Sequence, residues 1–216
     1  MPGASEQKKP RCVIFAGAAV SRYDIVRSYL REDDYIIACD CGLRHVEALG
    51  LEPDLILGDF DSYPKPDGGK ETIVLPREKD DTDSVYAVKC GLARGFDAFL
   101  LCGVFGNRLD HTLVNVSALL MLHSLGKSAL ALDDYSELSI LGKEPVLIPD
   151  RFPYFSLLNV SGTAKKINIR HAKWELTDAE ISCDYQYGCS NEVLPGETAE
   201  VSVGEGRALL IKIFEP

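Results

Sequence analysis

The sequence keeps one rhythm for its first two-thirds and another for its last third, and that change limits the folds open to it. Short β-rich runs come first: CVIFAG at 12–17, YIIACD at 35–40, DLILGD at 54–59, TIVLP at 72–76, AFLLCG at 98–103 and SALALD at 128–133. The stretches between them predict helices over about 22–31, 42–49, 82–94 and 110–125, the last with Leu113, Val116, Leu120 and the 117–122 stretch marking an apolar stripe at helical spacing. Strands that alternate with helices build a parallel sheet covered on both faces. From 134 onward the runs are only β-like: ELSIL, PVLIP, YFSLLNV, KKINIRH, AEVSV and RALLIKIF, separated by turns with Gly142, Gly162, Gly188, Gly196, Gly204 and Gly206. That spacing predicts an antiparallel sandwich or small barrel. The chain therefore reads as an α/β domain over 1–133 followed by a β domain over 134–216.

Composition narrows the function. Hydrophobic residues make up 46% of the 216, enough for real cores, while the formal net charge is −10. A field of that sign argues against nucleic acid or a membrane surface as partner, because both attract positive proteins. The opening MPGASEQKKPR is polar, with no secretory pattern, and no apolar run reaches the length of a membrane span. The seven cysteines show no CxxC, and Cys12, Cys39, Cys90 and Cys102 sit in apolar runs, as buried thiols of a reducing compartment do. The four histidines, Cys39 and Cys41 lack the spacing of a zinc site.

Acidic residues gather where predicted strands end. LILGDFDS puts Asp59 and Asp61 at the carboxyl end of the third strand, the edge where open α/β sheets bind ligands. Two apart in extended chain, their side chains share a face and repel unless a proton or a cation lies between them. Magnesium suits such a pair, since it takes oxygen ligands and keeps room for phosphate. A polar turn is the plainer reading of an isolated DxD. In EKDDTDS, Thr82 or Asp81 can cap the following helix, and acids favour its N-terminus. Asp80, Asp81 and Asp83 beside Lys79 exceed what capping needs, so Asp83 is a candidate metal ligand and Lys79 a candidate phosphate contact. Asp40 ends the second strand and should lie beside the third, because consecutive parallel strands usually neighbour one another.

GVFGNRLDH, between the fifth strand and the last helix, adds a glycine-bearing turn. Gly103 and Gly106 allow close backbone approach, the helix offers unpaired N–H groups, and Arg108 carries a fork of donors for phosphate. The pattern is neither a P-loop nor GxGxxG, and an ordinary βα turn capped by Asp110 is the alternative. Asp110 followed by His111 also permits an acid–histidine role.

In this order the motifs resemble the thiamine pyrophosphokinase family over most of the chain. CDCGLRH is similar to its ADGGA-type strand end, LGDFDS to GDFDS, EKDDTDS to KDxTD, GVFGNRLDH to GxxGGRxDH, GCSNEV to GxSNE and AKWELTD to GLKWxL. Two positions depart from the family: Cys41 and Asn107 stand where glycine is common, and asparagine tolerates the left-handed turn that Asn107 would occupy. The resemblance implies a Rossmann-like α/β domain, a C-terminal antiparallel β-sandwich, a cytoplasmic enzyme and a homodimer with active sites between subunits. It implies that the hydroxyl of thiamine attacks the β-phosphorus of ATP, giving thiamine diphosphate and AMP with Mg2+ as cofactor. Carried over by position, Asp59, Asp61 and Asp83 would hold the metal, with Asp40 beside them. Lys79, Asp80, Thr82, Gly103, Gly106, Asn107, Arg108, Asp110 and His111 would lie on the ATP side. Trp174, Ser190 and Asn191 would line the thiamine side; Trp174 could stack on a cationic ring or fill a sandwich core. The rivals are a pyrophosphokinase for a pterin alcohol, a thiamine- or nucleotide-binding module without turnover, and a metal phosphohydrolase.

Overall fold

A computed structural model describes residues 10–60, 69–78, 80–106 and 108–214. The chain divides into two compact units, Met1–Asp134 and Tyr135–Pro216.

The first unit runs β1 (Cys12–Phe15), α1 (Tyr23–Tyr29), β2 (Tyr35–Cys39), a 3-10 turn (Asp40–Gly42), α2 (Leu43–Ala48), β3 (Leu55–Gly58), β4 (Glu71–Val74), α3 (Asp83–Ala93), β5 (Ala98–Cys102), α4 (Leu109–Ser124) and β6 (Ser128–Leu132). Its strands pair in parallel in the order β6-β5-β1-β2-β3-β4. Every residue of β1 and β3 is buried, as uninterrupted CVIF and LILG runs require when a sheet is covered on both faces. Helix α2 packs against β1 and β2, α3 against β1, β2 and β3, and α4 against β6. The order makes the site possible. The chain steps outward from β1 to β4, then returns to lay β5 on the other side of β1, so the loops after β1 and β5 diverge from adjacent strands and leave a crevice.

Helix α4 buries the expected stripe only in part, within its 117–122 stretch. Asn115, Ala118, Leu119 and Leu122 are inside, whereas Leu113 is 60% exposed. The inward face takes in a polar residue because Asn115 is fully occupied there, as described below.

The second unit holds β7 (Ser136–Leu141), β8 (Val146–Pro149), β9 (Tyr154–Asn159), β10 (Thr163–Arg170), β11 (Leu176–Ser182), β12 (Asn191–Glu192), β13 (Thr198–Glu205) and β14 (Ala208–Ile213). They form two antiparallel layers, β12-β9-β14-β7 and β11-β10-β13-β8. One core joins them, with Phe155, Leu157 and Leu210 from one layer meeting Ile148, Ile167 and Val201 from the other. Buried residues alternate along β13, the mark of a strand with one wet face. In β10 the alternation skips at Lys165 and Lys166, where the register shifts and Lys166 adopts φ 54°. The bulge keeps both lysines outside and returns Ile167 to the core. Strands β11 and β12 have no counterpart among the expected runs. β11 is an edge strand with Ile181 as its one fully buried residue, so its sequence, LTDAEIS, carries little apolar pattern.

Among the described residues, no helix is long and apolar enough to cross a membrane. All seven cysteines are free; Cys12, Cys39 and Cys102 are buried as expected, Cys90 only partly, and Cys183 and Cys189 are exposed.

Candidate active site

A cleft of about 580 Å³ opens at the carboxyl ends of the first unit's strands. One wall is the chain that follows β1. Its Ala16 N–H donates to the Cys102 carbonyl at 2.9 Å and its Ala18 N–H to the Gly103 carbonyl at 2.8 Å, which zips this segment to the end of β5. Gly103 has φ 64°, and a Cβ there would stand 2.4 Å from the Ala16 carbonyl oxygen, so no larger residue fits. From the other side, His45 on α2 is buried and donates from Nε2 to the Ala18 carbonyl at 2.8 Å. Because Nε2 faces a carbonyl it carries the proton, and Nδ1 accepts from the Tyr23 hydroxyl at 2.7 Å. Burial pushes the imidazole pKa down, in keeping with this neutral tautomer. Arg44, next in sequence, donates to the Gly17 carbonyl at 2.7 Å. Asp134 closes the segment by accepting from the N–H groups of Ser21 and Arg22, each at 2.9 Å.

The floor is acidic. Asp40 leaves β2 into the 3-10 turn with φ 41°, a left-handed conformation that aspartate adopts more readily than most non-glycine residues. Gly58 makes room for it, since a Cβ at Gly58 would lie 3.0 Å from Asp40 Cβ. Asp59 follows directly, half-buried at the end of β3. Asp83 opens α3, tied to β2 by a 3.7 Å contact from the Cys39 thiol to the Asp83 carbonyl. Both Asp40 and Asp83 face the cleft. Burial raises the Asp40 pKa; a contact from the Cys41 thiol opposes this, and the charges of Asp83 and Asp59 raise it further. Among the described residues no hydrogen-bond donor reaches the buried Oδ1 of Asp40, and the Oδ1 of Asp83 is buried as well. Crowded carboxylate oxygens, one of them lacking a donor, fit a hard divalent cation, whose charge would reverse the cost of ionising them. Among the described residues, no three His, Cys, Asp or Glu side chains already enclose such an ion. Asp61, the remaining candidate ligand, lies outside the described residues.

Polar side chains lock the acids to the glycine-bearing loop. Thr82 is the N-cap of α3, accepting from the Val85 N–H, and its hydroxyl meets that of Ser84 at 3.1 Å. Ser84 donates to Asn115 Oδ1 at 2.7 Å, and Asn115 Nδ2 donates to the Val104 carbonyl at 2.7 Å. All three residues of that relay sit in the buried interior, where each polar group needs its partner. Gly103, Gly106, Arg108 and His111 face the cleft from the β5–α4 side. Arg108 is exposed and forms a fork to Asp110, at 2.9 Å from Nε and 2.6 Å from Nη2. That fork holds the Asp110 carboxyl well below the usual carboxylate range. Asp110 sits in the first turn of α4, but Arg108 occupies the N-cap position. Thr82 also borders the cleft, whereas Asp80 is exposed and does not. Lys79 and Asn107 lie outside the described residues.

Several lining residues went unseen in the sequence. The small residues Gly17, Ala18 and Ala19 after the first strand were a usable signal for a close-approach wall. Ser84 and Asn115 carried none, nor did His45, which supports the wall from behind, because polar residues on helices look solvent-facing until the packing is known.

In the second unit, Trp174 is 52% exposed. Asn191 grips its backbone from both sides, accepting from the Trp174 N–H at 3.1 Å and donating to its carbonyl at 2.7 Å. The buried amide of Asn191 thus presents the indole rather than itself. Lys173 Nζ rests 4.5 Å from the centre of that ring and is also paired with Glu192 at 2.7 Å. Ser190, at φ 58°, is exposed beside them in sequence, its N–H donating to the Ser156 hydroxyl at 3.0 Å.

The chain is similar to known proteins along most of its length. Residues 26–130 match the family model described as thiamin pyrophosphokinase, catalytic domain, and residues 145–207 match thiamin pyrophosphokinase, vitamin B1 binding domain. Among solved structures, a thiamine pyrophosphokinase from Bacillus subtilis superposes with TM-score 0.84 at 19% identity, over 96% of this chain and 100% of that one. One from Geobacillus thermodenitrificans gives 0.78 at 25% identity, over 95% and 98%. One from Candida albicans gives 0.77 at 15% identity, over 95% and 89%. No curated protein sequence matches the chain. With both family models matched in order along one chain, and with the acids, glycines and tryptophan placed as described, the chain belongs to the thiamin pyrophosphokinase family.

Proposed function

We propose that the strand-end cleft of the first unit holds ATP and a magnesium ion, and that Trp174, presented by Asn191, receives thiamine. The chain is an ATP-dependent diphosphotransferase: it moves the pyrophosphoryl group of ATP to the hydroxyl of thiamine, giving thiamine diphosphate and AMP. The observation that carries the assignment of the site is that Asp40 and Asp83, from two separate elements, border the cleft beneath a glycine-bearing loop, with the charge of Asp59 acting on Asp40.

Transfer of this kind asks little covalent chemistry of the protein and depends on placement and charge. Asp59, Asp61 and Asp83 would hold the metal, with Asp40 beside them. When bound, the ion supplies positive charge to the phosphate oxygens and to the leaving AMP oxygen. Gly103 and Gly106 let the phosphates approach backbone N–H groups at the start of α4. Arg108 offers its donor fork once a phosphate competes with Asp110; Thr82 and His111 border the same cleft, and Lys79 and Asn107 would add further contacts on the ATP side. Asp61 or Asp83 orients the attacking hydroxyl. On the thiamine side the exposed indole gives a flat face to a cationic ring.

A homodimer, with active sites at the subunit interface, fits the same picture; Leu109 and Leu113, 68% and 60% exposed on α4, are apolar surface that supports association. The free cysteines fit a cytoplasmic location. The direct test is incubation with ATP, Mg2+ and thiamine, or a pterin alcohol in its place, followed by product analysis. AMP and thiamine diphosphate in equal amounts are expected. Orthophosphate release without an acceptor, or transfer to the pterin alone, would replace this reading.

A further inference from the structure

We infer that Arg44 is a further cationic contact for the triphosphate chain of the nucleotide, in addition to Arg108 and Lys79. This rests on the reading of the cleft as the ATP site.

Two described arginines border the cleft, Arg44 and Arg108. Their electrostatic situations differ. Arg108 is neutralised by its fork to Asp110. Arg44 is held by a neutral group, the Gly17 carbonyl at 2.7 Å, and among the described residues no carboxylate pairs with it. Its charge is therefore available to an anion in the cleft, in a protein whose formal net charge is −10. Its position is also preset. Gly17 belongs to the segment locked to β5 by the Ala16 and Ala18 amides and to α2 by His45, so a guanidinium anchored there is ordered before ligand arrives. An ordered cation loses less freedom on binding than a mobile surface side chain would. Arg44 and Arg108 project from opposite sides of the β1/β5 crevice, one from α2 and one from the β5–α4 loop. A chain of phosphates laid across that crevice could meet both, whereas a single phosphate meets fewer charges.

A purely architectural arginine, needed to hold Gly17, is the alternative, and the two roles separate by ligand. Dissociation constants for AMP, ADP and ATP would be measured by calorimetry with Mg2+ for the wild type, Arg44→Ala and Arg44→Gln. Glutamine keeps an N–H donor for the Gly17 carbonyl but removes the charge. The inference expects both variants to weaken ATP by about tenfold or more, the scale of a hydrogen bond to a charged group, and AMP by less than about twofold. An equal loss for AMP and ATP, restoration of ATP binding by glutamine, or unchanged binding in both variants overturns it. If the wild type binds ATP no better than AMP, the reading of the cleft fails as well; if the wild type prefers ATP and the variants do too, the role of Arg44 alone fails. Arg44 is exposed, so both variants should melt close to the wild type.

Discussion

The two units bury their strands differently, and the difference dictates where each can carry function. In the first, β1 and β3 are buried at every residue, so neither face of the sheet is open to a ligand and chemistry must sit at the strand ends. In the second, β13 alternates buried and open residues, and side chains offered to a ligand can stand on outer faces and connecting turns, where Trp174 and Ser190 are exposed. A covered parallel sheet gathers residues far apart in sequence onto one rim. Asp40, Asp59 and Asp83 come together this way, from β2, β3 and α3. The sandwich instead holds its indole by local grips, the Asn191 amide and the Lys173–Glu192 pair.

The comparison is most sharply tested at the acidic rim. Asp59→Asn and Asp83→Asn should each lower turnover by about two to three orders of magnitude, on the scale of removing an electrostatic stabiliser of the transition state. Their circular dichroism and melting should stay near those of the wild type, because these groups oppose one another in the folded protein. Turnover within twofold of normal in either variant would remove that residue from the site.

Next in size come two glycines with the same backbone defect in different units. Gly103→Ala places a Cβ 2.4 Å from the Ala16 carbonyl at φ 64°, and Gly206→Ala places one 2.5 Å from the Thr163 carbonyl at φ 83°. Each should cost about 1–3 kcal/mol in denaturant melts from backbone strain alone. Only the first should also depress kcat/KM beyond what its stability explains, because its loop forms the cleft wall. Equal activity losses would mean that the units are not functionally separate at these positions.

A smaller effect is expected at the indole. Trp174→Ala should raise the KM for thiamine by roughly 2- to 30-fold, the range of a lost cation–π contact, and leave the KM for ATP unchanged. A parallel rise for ATP would place Trp174 outside a dedicated thiamine contact.

The smallest effect concerns pH. His45 has its folded pKa lowered by burial from the ordinary 6.5. Below 6.5 the unfolded chain therefore binds a proton that the folded chain resists, so its contribution is complete above that pH and is lost as pH falls toward the folded value. The melting temperature should decline more steeply below pH 6.5 in the wild type than in His45→Gln. Identical slopes would show that other groups carry the acid sensitivity.

Much of this was legible beforehand, for local reasons. Apolar runs of four to six residues between helical stretches report covered strands, and the first unit's elements lie within a few residues of their expected bounds. Asp40 and Asp59 were visible because strand-end acids interrupt apolar runs, and Asp83 because the acids of EKDDTDS exceed what a helix cap needs. The edge strand β11 was not, since its core-facing Leu176, Ala179 and Ile181 are put out of simple alternation by the irregularity at Asp178, φ 49°. The buried Asn115 and His45 were missed for the opposite reason: a polar side chain shows its partner only after the chain has folded around it.

Local periodicity and turn chemistry are written along the chain, and they were sufficient for the kinds of elements, their order and the acids that end them. The order β6-β5-β1-β2-β3-β4 is not written there, because it depends on which apolar faces cover one another across many residues. That order sets β5 beside β1, brings the Ala16–Ala19 wall against the Gly103 loop, and leaves Arg44 and Arg108 on opposite sides of one crevice. Packing of distant segments, rather than spacing within any one of them, turns separate acidic and glycine motifs into a single site.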